Sequence, residues 1–313
     1  MGDPSNETKT PDAAFSVPHH KRKTSTMGMP TDIPIIDCMI GFPASDFSQY
    51  EFIRKQLRDT ESRDGYDFPV EYMFKNVPKE LYGAENPIDI TLHEMDRFGV
   101  ERGLIGVGGD VSAKALKDHP DRFIASGSVD PNEGMEGVRQ MVRDYEEYGV
   151  RAFGAFPAGC NPQVAIDDAK FYPIYAKCVE LGVPIFVCAG VPGPRLPMSC
   201  QHVERIDRVM YDFPELVFVT RHGCEPWEKL AMKLMLKWPN LYYSTSAFAP
   251  KHYPEEIVNY ANTRGADKII YAGYFPMGLS LERIMTDMPT VDFRDHVWPK
   301  FLRENAMKVL GLD

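Results

Sequence analysis

A single α/β domain closed into an eight-stranded (β/α)8 TIM barrel is the fold that this sequence predicts for residues 32–313, and three observations predict it. Short β-branched apolar runs alternate with stretches of helical spacing, which is the βα signature of a parallel sheet. Helix stops containing glycine precede strands, as in Glu147-Tyr-Gly-Val150 and Glu180-Leu-Gly-Val183. A left-handed residue there ends the helix and returns the chain to the sheet. Eight strand-like runs are present, more than an open doubly wound sheet usually holds, and no G-x-G-x-x-G follows the first of them.

In chain order the predicted strands are Ile33–Asp37, Gly103–Val107, Phe123–Val129, Val150–Phe156, Pro184–Cys188, Leu216–Arg221, Leu241–Ser246 and Lys268–Ala272. Each is short and rich in branched or aromatic residues, as a strand buried on both faces requires. Helical spacing marks Met135–Tyr148, Ala169–Leu181, Pro226–Lys237 and Pro254–Asn262. One connection is far too long for a simple βα turn. Residues 42–86, dense in Phe and Tyr, leave the first strand at the rim where barrel active sites sit, and are expected to form a lid or a subunit contact. Residues 1–31 differ from the rest. They are rich in Ser, Thr, Pro, Lys and His, with a basic cluster at residues 19–23, and are expected to form a flexible or loosely docked arm.

Composition narrows the function. The 313 residues are 43% hydrophobic and 26% charged, with a net charge of −10. An acidic chain is a poor partner for nucleic acid. No apolar run reaches the ~20 residues of a membrane span, and no secretory leader pattern opens the sequence. The six cysteines, at 38, 160, 178, 188, 200 and 224, are scattered with no C-x-x-C pair. They read as reduced thiols, and the expected location is the cytoplasm.

Several segments carry a family likeness. They are Met95-Asp-Arg-Phe-Gly-Val100, Asp121-Arg-Phe123, Val129-Asp-Pro131, Phe171-Tyr-Pro-Ile-Tyr175, Gly182-Val-Pro-Ile-Phe-Val-Cys-Ala-Gly190 and Asn305-Ala-Met-Lys-Val-Leu-Gly311. In this order they resemble the amidohydrolase-related family of barrel enzymes, which includes aminocarboxymuconate-semialdehyde decarboxylase and resorcylate decarboxylases. The resemblance implies a barrel from about Ile33 onward, hydrolase or lyase chemistry on a small organic molecule, and a homodimer. It also implies a divalent metal at the C-terminal mouth, held by H-x-H after strand one, a His after strand five and an Asp after strand eight, with a further His after strand six. Here those positions carry Met39 and Gly41, Cys188 and Tyr274. Only the strand-six histidine is kept, as His222. The expectation is therefore no metal and no cofactor. A rebuilt zinc site would have to draw on Cys188 and His222 with Cys224 or Glu225.

Cys188 and His222 are expected to face one reacting centre, the thiol as nucleophile or base beside the imidazole. Tyr274 across the mouth is the candidate proton donor. Arg195 is placed to grip a carboxylate with its bidentate fork. Asp37, Met39, Phe156 and Trp227 are expected to line the substrate pocket, whereas Arg221 is expected to point away from the mouth if His222 points in. Two functional readings follow. One is a metal-independent hydrolase, lyase or hydratase. The other is a non-catalytic binding or accessory protein on a barrel that has lost its metal site, with a di-iron monooxygenase component as its partner.

Overall fold

The computed structural model describes residues 28–44 and 46–312. Most of the expected N-terminal arm, its basic cluster included, lies outside the described residues. Eight strands form one parallel sheet in sequential order: β1 (Ile35–Asp37), β2 (Val100–Gly106), β3 (Phe123–Val129), β4 (Ala152–Ala155), β5 (Ile185–Cys188), β6 (Phe218–Arg221), β7 (Leu241–Ser244) and β8 (Ile269–Ile270). The fold is a TIM barrel. Helices α1 (Glu51–Arg54) and α2 (Thr60–Asp64) lie in the insertion after β1. The connections from β2 to β7 then carry α4 (Asp110–Asp118), α5 (Met135–Tyr148), α6 (Tyr172–Leu181), α7 (Arg205–Asp212), α8 (Glu228–Lys237) and α9 (Glu255–Tyr260). Helix α3 (Pro87–Arg97) precedes β2, and α10 (Leu281–Asp287) and α11 (Asn305–Leu310) follow β8. The predicted glycine stops end α5 and α6, with Gly149 at φ 62° and Gly182 at φ 66°.

Alternation along the strands divides the core in two. Ile36, Leu104, Ile124, Ala152, Phe186, Val219, Tyr242 and Ile270 pack together inside the barrel. Their strand neighbours, such as Ile35, Phe153, Ile185, Phe218 and Tyr243, face the helices. Each large side chain so buried contributes roughly 1.5–3 kcal/mol. Ala306, Val309 and Leu310 of α11 join the interior group and plug the N-terminal end, which leaves the C-terminal mouth as the accessible end.

The ring closes between the strand-one and strand-eight segments. The Cys38 amide donates to the Tyr271 carbonyl at 3.2 Å and the Gly41 amide to the Phe275 carbonyl at 2.8 Å. β8 is shorter than Lys268–Ala272 because the next two amides leave the ladder, Tyr271 donating to the Phe301 carbonyl at 3.0 Å and Ala272 to Thr245 Oγ1 at 3.3 Å, and the Gly273 amide then donates to Asp37 Oδ1 at 2.7 Å. The long insertion folds back over the mouth. Its Phe74 stacks on Tyr274 with ring centroids 5.5 Å apart, and Phe68, 3% exposed, lies 6.1 Å from the same ring. Among the described residues no helix is long and apolar enough to cross a membrane.

Candidate functional site

The C-terminal ends of β5 and β6 bring the central side chains together. Cys188 and Arg221 are register partners across this strand pair. Each lies two residues beyond an interior side chain, Phe186 and Val219 respectively, so both point into the barrel. Arg221 reaches across β5 to β4, where its Nη1 lies 2.7 Å from the position a Cβ at Gly154 would take. Glycine there makes room for the guanidinium. This corrects the sequence expectation that Arg221 faces away. The chain turns sharply after β6, with His222 at φ 60°, so strict alternation stops and consecutive residues both serve the mouth.

Among the described residues that guanidinium has no acidic partner: no ion pair or hydrogen bond engages it, and its Nε is sealed from solvent without a partner. Arginine cannot shed its charge in a protein, so an uncompensated cation stands in the mouth. Around it the ionisable groups are neutral. Burial pushes the Cys188 thiol up to about 11, although Arg221 pulls it the other way. Burial, reinforced by Arg221, brings the His222 imidazole down to about 3. Burial also raises the Tyr274 phenol and the Cys38 thiol well above their ordinary values.

His222 is held by Ser246. The Ser246 Oγ accepts the His222 backbone N–H at 3.1 Å and lies 3.1 Å from its Nδ1. Ser246 is fully buried, and donating its own proton to Nδ1 satisfies both groups. Nδ1 is then the acceptor and Nε2 carries the hydrogen. The imidazole packs edge-to-face against Tyr274, centroids 5.4 Å apart. His222 and Tyr274 are thus neighbours under the lid aromatics. No hydrogen bond joins Cys188 to His222, and with the thiol protonated the pair is not a thiolate–imidazolium couple.

The remaining predicted residues scatter. Arg195 is engaged by the lid: its Nη1 contacts Asp59 at 2.5 Å and Glu61 at 2.8 Å, and its guanidinium lies 4.5 Å above the Tyr72 ring. Those hydrogen bonds raise its pKa, and Asp59 is drawn down to about 2, first by hydrogen bonding from Ser62 at the start of α2 and then by Arg195. Asp37 lies on the outer side of β1, because Ile36 and Cys38 on either side of it face inward. Its Oδ1 accepts from Gly273 and from Met39, the latter at 2.9 Å. Its Oδ2, like the Tyr271 hydroxyl nearby, has no hydrogen-bond partner. Burial pushes the carboxyl up to about 7. Met39 packs against the interior group, and Phe156 lays its ring over Gly159. Trp227 stacks on His202 at 4.1 Å and packs among the side chains outside the sheet. The sequence reading missed three residues: Arg221, Gly154 and Ser246. A glycine inside a strand is a recognised sign of close approach, and Gly154 was that sign.

Potential metal donors do not converge. Cys224 belongs to the outer core, its thiol pushed up to about 12 by burial. Among the described residues no group of three or more His, Cys, Asp or Glu side chains is arranged to hold a metal ion.

No curated protein matches the chain. Among solved structures, an uncharacterised TIM-barrel protein from Bordetella bronchiseptica is 25% identical with a TM-score of 0.70, the match covering 88% of this chain and 98% of that one. A 2,6-dihydroxybenzoate decarboxylase from Rhizobium is 13% identical, with a TM-score of 0.64 and coverages of 89% and 99%. A 5-carboxyvanillate decarboxylase from Novosphingobium aromaticivorans, solved with manganese and a nitrobenzoic acid, is 16% identical with a TM-score of 0.64 and coverages of 90% and 97%. The amidohydrolase family matches residues 100–312, more than half of the chain. With the barrel and the ordered motifs in agreement, the chain belongs to the amidohydrolase family.

Proposed function

We propose that this protein is a lyase or hydrolase that acts on a small organic molecule at the C-terminal mouth of the barrel, without the divalent metal of its relatives. The observation that carries this reading is His222: a neutral imidazole, held by Ser246 Oγ at both its backbone amide and Nδ1 and packed against Tyr274 beneath the lid. A positioned imidazole can hand a proton to a carbon or a leaving atom while a solvent proton replaces it, and such proton transfer contributes typically ~10²–10⁴-fold to rate. Tyr274 is the adjacent proton donor. Cys188, held as a thiol, supplies a weak hydrogen bond rather than a nucleophile. The likeness to decarboxylases of hydroxybenzoates supports a lyase acting on a small aromatic acid.

The residues in the family's ligand positions do not fit a divalent metal. A thioether at Met39, no side chain at Gly41, a protonated thiol at Cys188 and a protonated phenol at Tyr274 leave one ordinary donor, His222. Catalytic zinc takes three protein ligands. The test is turnover of a panel of hydroxybenzoates and their esters in chelator, for wild type and His222→Asn. A loss of about 100-fold or more in the variant is expected. Turnover that appears only on adding metal, or that survives intact in His222→Asn, refutes the reading.

A further inference from the structure

We propose that Arg221 supplies the fixed positive charge of this site, in the electrostatic place that a divalent metal holds in relatives such as the manganese-bound decarboxylase, and that it binds a carboxylate of the ligand. The inference rests on the proposed function only in taking the mouth as the ligand site. Four observations converge on it.

Arg221 points inward from β6 beside Cys188. The inner face of β4 is cut back to glycine at residue 154, and a Cβ there would stand 2.7 Å from Nη1. Among the described residues no carboxylate pairs with the charge, and the buried acid Asp37 has its Oδ1 committed to two backbone amides on the outer side of β1. Every titratable group that faces the guanidinium, Cys38, Cys188, His222 and Tyr274, is held in its neutral form.

Arg221 is half-buried, and its Nε, sealed from water without a partner, carries a desolvation cost that an incoming anion would offset. A carboxylate matches the planar fork with two parallel hydrogen bonds. Cationic side chains elsewhere near the mouth do not compete for it, since Arg195 is occupied by Asp59 and Glu61. A metal ion in the same mouth would repel the guanidinium. The lack of metal donors and the presence of an unpaired arginine are therefore electrostatically compatible in one mouth.

The probes are benzoate and formate, with neutral benzamide as the control, titrated calorimetrically into the full chain with EDTA and again with added manganese chloride. Wild type is expected to bind at least one carboxylate, to prefer benzoate over benzamide by at least tenfold, and to be indifferent to EDTA or manganese. Arg221→Met fills a similar volume without charge and breaks no ion pair among the described residues, so that its folding, checked by circular dichroism, is expected to be kept. It is expected to lose that preference. Gly154→Ala keeps the arginine but displaces its fork, and is expected to weaken benzoate at least fivefold with benzamide unchanged. Carboxylate binding that persists in Arg221→Met, that requires manganese, or that is absent from wild type overturns the proposal. Because none of these readouts passes through turnover, a failure here is separable from a failure of His222 to act as the proton carrier.

Discussion

Asp37 makes stability depend on pH in a direction opposite to that of an ordinary surface carboxylate. Its side chain is 0% exposed, and burial outweighs the two amide hydrogen bonds to Oδ1, so its pKa stands near 7 instead of 3.8. The native state therefore holds this proton more tightly than the unfolded chain does. Below about pH 4 both states are protonated and the carboxyl contributes its full stability. As pH rises towards 7 the unfolded chain ionises freely while the native state resists, and stability falls. At ~1.36 kcal/mol per unit, a shift of about 3 units removes roughly 4 kcal/mol in all, of which about 2.5 kcal/mol is lost between pH 5 and pH 8.

Asp37→Asn isolates this contribution. The amide oxygen keeps both bonds to Gly273 and Met39, and its NH2 group takes the place of Oδ2 facing the Tyr271 hydroxyl, which is itself unpartnered. The variant cannot ionise. Urea unfolding of both proteins at pH 5 and pH 8 should show Asp37→Asn gaining about 2.5 kcal/mol on wild type over that interval. Other titrating groups act equally on both proteins and cancel in the difference. Parallel pH profiles would mean that the carboxyl is ionised in the native state throughout, and the argument from burial would fail.

Three further outcomes are expected. The His222 imidazole, brought down to about 3, should show no titration of its ring proton resonance between pH 5 and pH 9, and a midpoint near 6.5 would contradict its burial under the lid. Cys188, pushed up to about 11, should alkylate with iodoacetamide about tenfold faster per pH unit right up to pH 10, followed by peptide mass spectrometry, whereas a rate that levels off by pH 8 would point to an activated thiolate. Arg195→Met should release the lid residues Asp59, Glu61 and Tyr72 from their anchor, so that limited proteolysis within residues 42–86 becomes several-fold faster. Wild type should approach the same rate in 1 M salt, where screening acts over ~3 Å, and a salt-independent lid would dismiss the ionic fastening.

The strands and helices were legible because the sequence states them locally. Phe123–Val129 and Met135–Tyr148 fall where periodicity puts them, and Gly149 and Gly182 end helices by taking left-handed conformations that other residues avoid. Position in the candidate site was legible where a residue's place follows from its strand end, as with Cys188 at the end of β5 and His222 just beyond β6. Arg221 was misassigned because alternation is a rule for regular strand, and the left-handed turn at His222 suspends it at the one place where direction mattered. Arg195 was assigned a free fork because nothing in its neighbourhood shows that Asp59, 136 residues earlier, returns to meet it. Asp37 kept its expected strand, but the side it faces depends on which neighbours fill the interior. Pairings between residues distant in sequence are tertiary facts, and pattern reading has no access to them.

Charge ties these observations together. A mouth holding a divalent cation can keep thiols and phenols ionised, because the metal offsets their desolvation. With a single guanidinium instead, that compensation is smaller, and burial decides: Cys188 and Tyr274 hold their protons and His222 stays neutral. The lid adds to the same effect, since Phe68 and Phe74 cover Tyr274 and exclude water from its side of His222. On the proposed reading the site holds an anion against Arg221 and exchanges one proton through His222 and Tyr274, a chemistry that suits bond cleavage driven by the ligand's own electrons better than attack by an activated nucleophile. The lyase side of the family's repertoire is accordingly the one this arrangement favours over hydrolysis.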